Sequence, residues 1–189
     1  MRRANTVVLA ALVAGALAAG PAVLAVSGHA TSGFAATGPA ANTQEVAVSE
    51  AERAGCAALL HLRNLTVTYA GLAETSGGTS YCYVKGILPP AIHFHVQMPL
   101  PRNWNGRFLK WGDGGKDGDL DFADHRVAEG YAVANSNTGH DNGAEPGSSF
   151  AYDNRQAEID FGYRAVHLTV AAAKTLVGNY YGREPAYSY

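Results

Sequence analysis

The alternation of hydrophobic and polar positions divides the chain into an apolar leader and a patterned body. The first apolar run covers residues 6–19, follows two arginines at positions 2–3 and contains no charged residue. A basic start, an apolar middle and small residues at an exit near 28–30 are typical of a secretory signal peptide. We therefore predict an export signal over 1–30, cleaved after Ala30, and a secreted protein.

An uncleaved membrane anchor is the alternative interpretation of this leader, since the apolar run to Val26 approaches the roughly 20 residues that span a bilayer. The run is rich in alanine and glycine, however, and Pro21 interrupts it. We therefore expect no stable membrane span. The small and polar residues that follow predict a flexible lead-in over 31–48.

The body begins with a helix and a group of strands. Residues 49–62 predict an amphipathic helix in which Ser49 and Glu52 have the spacing of a capping box. Alternating segments then predict three strands, at 65–69, 81–88 and 92–98. The third alternates strictly between apolar and polar residues, which predicts a half-buried strand. Together these segments predict a small antiparallel β unit.

The pattern changes after Trp104 to strands that alternate with helices. A short strand at 107–111 runs into a glycine-rich loop at 112–115. Beyond the loop we predict a helix at 122–129, a strand at 131–134, a long helix at 159–181 closed by Gly182, and the opening of a further strand at 186–189. This order is typical of parallel α/β architecture.

Composition narrows the class of protein. The chain has 189 residues, of which 47% are hydrophobic and 16% charged, with a formal charge of −2. Its apolar content can offset the chain entropy of folding, so the composition argues against disorder. Nucleic-acid binding needs clustered lysine and arginine, so we expect no nucleic-acid partner. Nothing in the sequence indicates an oligomeric state.

The two cysteines gain meaning from the predicted export. Cys56 and Cys82 are the only pair in the chain, and disulfides form and persist in oxidising compartments. We therefore expect a Cys56–Cys82 disulfide. Two buried thiols are the alternative, and no Cys-x-x-Cys metal or redox motif is present.

The loop after the predicted strand 107–111 is the first candidate for chemistry. Gly112, Gly114 and Gly115 allow the backbone to turn its N–H groups toward a developing negative charge, which a β-carbon would obstruct. Taken alone, the pattern also fits a plain turn. A phosphate cradle is a third possibility, but the full Walker or dinucleotide spacing is missing.

No serine of the sequence occupies a Gly-x-Ser-x-Gly elbow, the strand-to-helix turn that presents a nucleophile. Ser136 follows a predicted strand within the sequence NSNTG, and Ser148 and Ser149 lie in a loop. Ser188 falls inside the last predicted strand. We interpret all four as structural.

Histidines and aspartates offer weaker candidates. His93 and His95 share the polar face of a strand and are interpreted as a surface or interstrand pair rather than metal ligands. His140 ends a strand at the edge where α/β proteins place their sites, so it could line the site or anchor a loop. His167 is interpreted as helix packing.

Four aspartates at alternating positions are a possible calcium motif; they are Asp113, Asp117, Asp119 and Asp121. Counted from Asp117, the glycine and glutamate of an EF-hand loop are replaced by Phe122 and Ala128. We therefore expect no metal and no cofactor in this chain.

Several separate segments, in this order, resemble the tannase and feruloyl esterase family of secreted serine esterases. They are residues 104–109 (WNGRFL), 112–115 (GDGG), 130–134 (GYAVA), 138–140 (TGH), 160–167 (DFGYRAVH) and 180–189 (YYGREPAYSY). With Cys56 and Cys82, which match the family's N-terminal disulfide, the resemblance covers nearly everything after the leader.

The resemblance implies an α/β-hydrolase fold that cleaves small-molecule esters of phenolic and related aromatic acids. It also implies a nucleophilic serine in a Gly-Cys-Ser-x-Gly-Gly elbow a few residues beyond the segment that matches 187–189. The triad and a lid with structural calcium would then lie beyond Tyr189. Residues 49–189 would be the N-terminal portion of the domain, and we expect this chain alone to be inactive.

Of the family's catalytic apparatus, the resemblance leaves only the oxyanion loop in this chain, with Gly114 as first candidate and Gly115 as second. The alternative function is a non-catalytic secreted binding module. Such a module would use the β unit and the aromatic residues Trp104, Trp111 and Tyr131 to hold a phenolic or sugar ligand.

Overall fold

The computed structural model describes residues 47–112, 114–116 and 118–189. The predicted export signal and all but the last two residues of the predicted lead-in lie outside this part of the chain. Within it, no helix is both long enough and apolar enough to cross a bilayer.

Six strands and four α-helices make up the described part. The strands are β1 (Thr66–Glu74), β2 (Ser80–Leu88), β3 (Ile92–Pro99), β4 (Arg107–Lys110), β5 (Ala132–Ser136) and β6 (Tyr187–Ser188). The helices are α1 (Glu50–Ala58), α2 (Asp124–Ala128), α3 (Arg155–Ile159) and α4 (Ala165–Tyr181), and a π-helical turn (Asp160–Arg164) joins α3 to α4. Short 3₁₀ turns occur at Leu59–His61, Pro101–Asn103 and Ser149–Ala151.

The strands form one mixed sheet in the order β1-β2-β3-β5-β4-β6. Neighbouring strands from β1 to β5 run antiparallel, whereas β5, β4 and β6 run parallel to one another. The predicted antiparallel unit that leads into parallel strands is therefore confirmed. The chain crosses from β4 to β5 through α2, and from β5 to β6 through α3 and α4.

Two apolar clusters cover opposite faces of β3. Phe94, Val96 and Met98 belong to the larger cluster, in which α4 contributes Leu176 and Val177. The smaller cluster combines residues of β2, β5 and the α2 region, namely Tyr81, Val133, Ala123 and Val127. The sheet is thus covered on both sides in its middle.

The prediction of a half-buried β3 is wrong. His95 and Gln97, on the polar face, are 1% and 0% exposed. Buried polar groups require hydrogen-bond partners, and both side chains find them in the backbone of the segment before α2. The alternation on β3 therefore separates an apolar core from a buried polar layer.

The helix ends follow local sequence signals. Ser49 and Glu52 form the predicted capping box at the start of α1. Gly182, with φ of 68°, ends α4 in the left-handed conformation that glycine adopts without strain. The long helix differs from the prediction at its start, since Asn154 caps α3 and helical structure begins there.

A disulfide joins Cys56 of α1 to Cys82 of β2, as predicted. Both residues are fully buried. The bond attaches the first helix to the inner part of the antiparallel unit.

Candidate active site

The loop after β4 and the loop after β5 meet at one edge of the sheet. Since β4 and β5 are parallel, their carboxyl ends lie at the same edge. Gly118 of the first loop approaches the second so closely that a β-carbon there would lie 2.6 Å from the amide nitrogen of Asn142 and 2.8 Å from Nε2 of His140. With φ of 116°, Gly118 also adopts a backbone conformation that other residues rarely take.

Asn135 attaches both ends of the loop after β4 to strand β5. Its Nδ2 donates to the carbonyl of Trp111 at 3.4 Å, and its Oδ1 accepts from the N–H of Asp121 at 3.1 Å. The N–H of Trp111 also donates to the carbonyl of Ala134. The buried Asn135 amide therefore closes residues 111–121 into a loop.

His95 holds the same segment from β3. Its Nε2 lies 2.8 Å from the carbonyl oxygen of Asp121, and its Nδ1 lies 3.1 Å from the hydroxyl of Tyr83. A carbonyl can only accept, so Nε2 carries the proton and Nδ1 accepts from Tyr83. Burial lowers the pKa of His95 to about 4, which keeps the imidazole neutral. Burial also raises the pKa of Tyr83 to about 12.

Gln97 fixes the start of α2. The residue before the helix, Ala123, has no side chain that can cap it. Gln97 instead bonds this residue and the next, since its Oε1 accepts from the N–H of Ala123 at 2.9 Å and its Nε2 donates to Asp124 at 3.0 Å. Burial alone would raise the pKa of Asp124, but the bonds from the Ser76 N–H and Gln97 outweigh it and lower that pKa.

The predicted oxyanion residues lie at the exposed tip of the loop. Gly115 has φ of 65°, which favours glycine. A β-carbon added at Gly114 or Gly115 would meet no atom within 4 Å, so the side of the backbone on which it would sit is open. These two glycines therefore stand at an open position between firmly attached ends.

His140 lies beside this loop, where the sequence places a candidate site residue. It is 4% exposed and stacks on Phe150 with ring centroids 3.8 Å apart. Its close approach to Gly118 shows that it supports the loop after β4. An open cavity of about 450 Å³ lies between the two loops, with His140, Gly118 and Asp141 among its walls.

The two histidines of β3 are separated by burial. His93 is exposed at the mouth of the cavity, whereas His95 lies beneath the loop, so they do not form a surface pair. In the described part of the chain, no group of three or more histidine, cysteine, aspartate or glutamate residues is placed to hold a metal. Asp113 and Asp117 lie outside the described residues. His167, interpreted as packing, is exposed.

The four serines that we interpret as structural from the sequence lie in strands β5 and β6 and in the loop after β5. Ser136 is buried at the end of β5, and Ser188 is exposed in β6. Ser148 contacts the Lys116 ammonium across the two loops, and Ser149 bonds the Pro146 carbonyl. None of these serines lies in a strand-to-helix turn.

The π-helical turn places a buried carboxylate behind the site. Asp160 is 1% exposed, and its Oδ1 accepts from Arg164 at 2.6 Å and from Gln156 at 2.9 Å. Arg164 also donates to the carbonyl of Pro89 at 2.7 Å. A β-carbon at Gly139 would lie 2.7 Å from Cβ of Asp160. The motif at 160–167 therefore supports the loop after β5.

The aromatic residues proposed for a binding module do not form a common surface. Trp104 is 8% exposed and stacks on Tyr181 with centroids 3.8 Å apart. Trp111 packs edge-on against His125, and the Tyr131 hydroxyl accepts from Arg107. Because Trp104 belongs to the core, it cannot hold a ligand as that hypothesis requires.

The anchoring residues Gln97 and Asn135 were missed from the sequence. Gln97 and Asn135 each lie among apolar strand residues, and an isolated amide side chain in a strand matches no recognised sequence motif. The available signal was the polar run that follows 132–134, together with the strict alternation at 92–98. Uncharged polar side chains within strands that are covered on both faces indicate attachment points for neighbouring backbone.

Similar solved structures define the class of the fold. The crystal structure of feruloyl esterase B from Aspergillus oryzae matches 73% of this chain and 31% of its own, with a TM-score of 0.61 and 24% identity. An esterase from the same organism matches 72% of this chain and 32% of its own, with a TM-score of 0.59 and 22% identity. The mixed sheet with its helices is part of an α/β-hydrolase fold.

Sequence comparisons define the family. The family model described as tannase and feruloyl esterase matches residues 78–189. The Aspergillus flavus protein named "Probable feruloyl esterase B-2" is 42% identical over 96 residues, which are 50% of this chain and 18% of that protein. An uncharacterized esterase from Xanthomonas campestris is 30% identical over an alignment of 155 positions, which covers 72% of this chain and 27% of that protein. This chain belongs to the tannase and feruloyl esterase family and spans about a fifth to a quarter of the length of these relatives.

Proposed function

We propose that this chain forms part of a secreted carboxylic ester hydrolase that acts on esters of phenolic or related aromatic acids. The family membership supports ester hydrolysis, and the relatives named as feruloyl esterases support an aromatic acyl group. The predicted export signal and the disulfide support an oxidising location outside the cytoplasm. We propose that the substrate of this enzyme is a small-molecule ester and that the enzyme has no nucleic-acid partner.

The backbone at Gly114 and Gly115 would supply part of the oxyanion hole. In α/β-hydrolases, one oxyanion N–H comes from the residue after the nucleophile. Another comes from a loop that joins an earlier parallel strand to the helix that follows it. The observation that carries the proposal is that loop 111–121 is attached at both ends by Asn135 while a β-carbon at Gly114 or Gly115 would meet no atom within 4 Å. Donors that are fixed before the reaction stabilise the negative charge of the tetrahedral intermediate.

The position of β6 fits the expected place of the nucleophile. Strand β6 lies beside β4 and runs parallel to it, and the N–H of Lys110 donates to the carbonyl of Tyr189 at 2.8 Å. A turn that follows β6 would therefore emerge next to the loop after β4. A serine there, activated by a histidine, would attack the ester carbonyl while the loop bonds the oxyanion.

We also propose that the 189 residues alone do not turn over esters. None of their serines lies in a Gly-x-Ser-x-Gly elbow, and an alkyl hydroxyl without a general base is a weak nucleophile. The family's lid calcium would likewise bind outside this chain, so we propose that these residues need no metal or cofactor.

The first experiment reads the coding sequence 3′ of the Tyr189 codon for a Gly-Cys-Ser-x-Gly-Gly elbow. The product of the whole gene is then assayed with methyl ferulate, beside the 189-residue chain and a heat-killed sample. We expect turnover only by the whole product. Absence of the elbow, or equal turnover by the 189-residue chain, would contradict the proposal.

A glycine substitution in the whole product tests the oxyanion role. Gly115→Ala strains a residue with φ of 65° and should lower kcat by about tenfold to a thousandfold. The matched control is Gly147→Ala, because Gly147 has φ of 69°, is exposed and would place its β-carbon in equally open space. Equal kcat values for the two variants would overturn the assignment of Gly115.

A further inference from the structure

His95 and Asn135 face each other across strands β3 and β5 as register partners. From these facing positions they bond the two backbone groups of one residue, since Asn135 accepts the N–H of Asp121 and His95 donates to its carbonyl. We propose that His95 and Asn135 are positioning residues that set the orientation of the Gly114–Gly115 backbone through Asp121. This inference rests on the proposed oxyanion role of that backbone.

Gly114 and Gly115 lie between two anchored positions of the chain, Trp111 and Asp121. Asn135 bonds Trp111 and Asp121, so the glycine tip lies within a segment whose two ends are both attached to one buried amide. Anchoring of both ends restricts the conformations of the residues between them, and the release of either end enlarges the set of accessible loop shapes. Both side chains are buried, so their effect on the reaction passes through the loop.

The two anchors are themselves rigid. Asn135 and His95 are each 1% exposed. The hydroxyl of Tyr83 bonds Nδ1 of His95, and the ring of Phe122 packs against the imidazole with centroids 4.7 Å apart. The imidazole orientation is therefore fixed from two further directions. A site supported in this way keeps its donors in place without reorganisation during the reaction.

The functional consequence is expected in kcat. A displacement of about 1 Å in a catalytic group can lower the rate about a hundredfold. Oxyanion donors act on charge that develops only in the transition state. Loss of either anchor should therefore lower kcat by about tenfold to a hundredfold and leave KM within about twofold.

The first arm of the test needs no enzymatic activity. Amide resonances of Gly114 and Gly115 are followed by NMR in the 15N-labelled 189-residue chain, in the variants His95→Leu, His95→Gln and Asn135→Leu, and in the control Asn105→Ala. Asn105 also uses both ends of its amide, bonding the Arg107 N–H and the Glu129 carbonyl, but it lies before the amino end of β4.

We expect the glycine resonances to shift and their hydrogen exchange to accelerate in His95→Leu and Asn135→Leu. Asn105→Ala should leave them unchanged. His95→Gln should restore the wild-type pattern, since a glutamine N–H can donate to the Asp121 carbonyl in place of Nε2. Unchanged glycine resonances in both leucine variants would overturn the inference. If Asn135→Leu does not fold, the comparison of His95→Leu with His95→Gln decides the result.

The second arm measures kcat and KM for methyl ferulate with the same variants in the product of the whole gene. A fall in kcat that His95→Gln restores, at nearly constant KM, supports a positioning role. A wild-type product without esterase activity would contradict the proposed function while the NMR result still decides whether the anchors order the loop. Altered resonances with an unaltered kcat would overturn the catalytic part of the inference.

Discussion

The guanidinium of Arg164 bonds the buried carboxylate of Asp160 at 2.6 Å, one turn earlier in the same helical segment. Through its other terminal nitrogen, Arg164 donates to the Pro89 carbonyl. Arg164 therefore connects the π-helical turn to the turn between β2 and β3. It also fixes the carboxylate against which Gly139 packs.

Arg164→Met should lower the free energy of unfolding by about 3 kcal/mol, because it leaves a buried carboxylate without its counter-ion. Arg155→Met is the matched control. Arg155 forms a similarly short pair with Glu158, but its side chain is 82% exposed, so its loss should change stability by less than about 1 kcal/mol. Urea unfolding measures both values. Similar losses of unfolding free energy in the two variants would show that burial of the Asp160 carboxylate does not increase the contribution of its ion pair to stability.

Stability should decrease on acidification because of His95. Its pKa is about 4 in the folded protein and 6.5 in an ordinary environment. The unfolded chain therefore binds a proton between these values that the folded chain does not, and stability falls as the pH drops from about 6.5 to 4. The slope approaches about 1.4 kcal/mol per pH unit for one such group.

His95→Gln isolates this effect, since glutamine does not titrate. We expect urea unfolding at pH 7, 6, 5 and 4.5 to show that the difference between wild type and variant narrows or reverses toward low pH. Carboxyl groups elsewhere contribute equally to both proteins. A constant difference over this range would show that His95 titrates alike in the folded and unfolded chains.

Gly118→Ala should destabilise the fold more than a positive φ alone explains. An alanine at positive φ costs about 1 kcal/mol, and at Gly118 its β-carbon would also collide with the Asn142 backbone at 2.6 Å. Gly147→Ala carries a positive φ without a collision and is the control. We expect a loss roughly twice as large or more for Gly118→Ala in thermal unfolding. Equal losses would show that the two loops are not in close contact.

The disulfide should contribute about 3.5 kcal/mol, since it closes a loop with a sequence separation of 26 residues. The variant Cys56→Ala/Cys82→Ala should show this loss in urea unfolding. Reducing agent should weaken the wild type by a similar amount and leave the variant unaffected. Insensitivity of the wild type to reduction, with full conversion to thiols verified by mass, would contradict the prediction.

Local signals account for the parts of the fold that the sequence predicts correctly. The capping box of Ser49 and Glu52, the C-terminal Gly182 and the alternation from antiparallel strands to α/β units each depend on neighbouring residues. The extension of β1 to Glu74 depends instead on its register with β2, where Glu74 faces Ser80. No local pattern encodes such a partner.

The residues of the candidate site also fall into two groups, those that local sequence signals predict and those that depend on distant partners. The sequence identifies Gly114 and Gly115 as candidates because glycine allows backbone conformations that other residues rarely adopt. It identifies His140 because this residue follows a predicted strand. The anchoring residues cannot be predicted in this way, because their roles depend on residues that are distant in the sequence. Asn135 bonds Trp111 and Asp121, which lie 24 and 14 residues earlier in the chain. Their importance follows from the pairing of β3 with β5.

Gln97 accepts a hydrogen bond from the N–H of Ala123, 26 residues later in the chain, at the start of helix α2. A five-residue helix with an alanine at its cap is too short to persist by itself in water. During synthesis, β3 leaves the ribosome before the segment that its His95 and Gln97 bond, whereas Asn135 leaves after that segment. The loop after β4 can therefore take its final shape only once β5 has emerged and paired with β3, so this loop is completed late in the assembly of this part of the sheet.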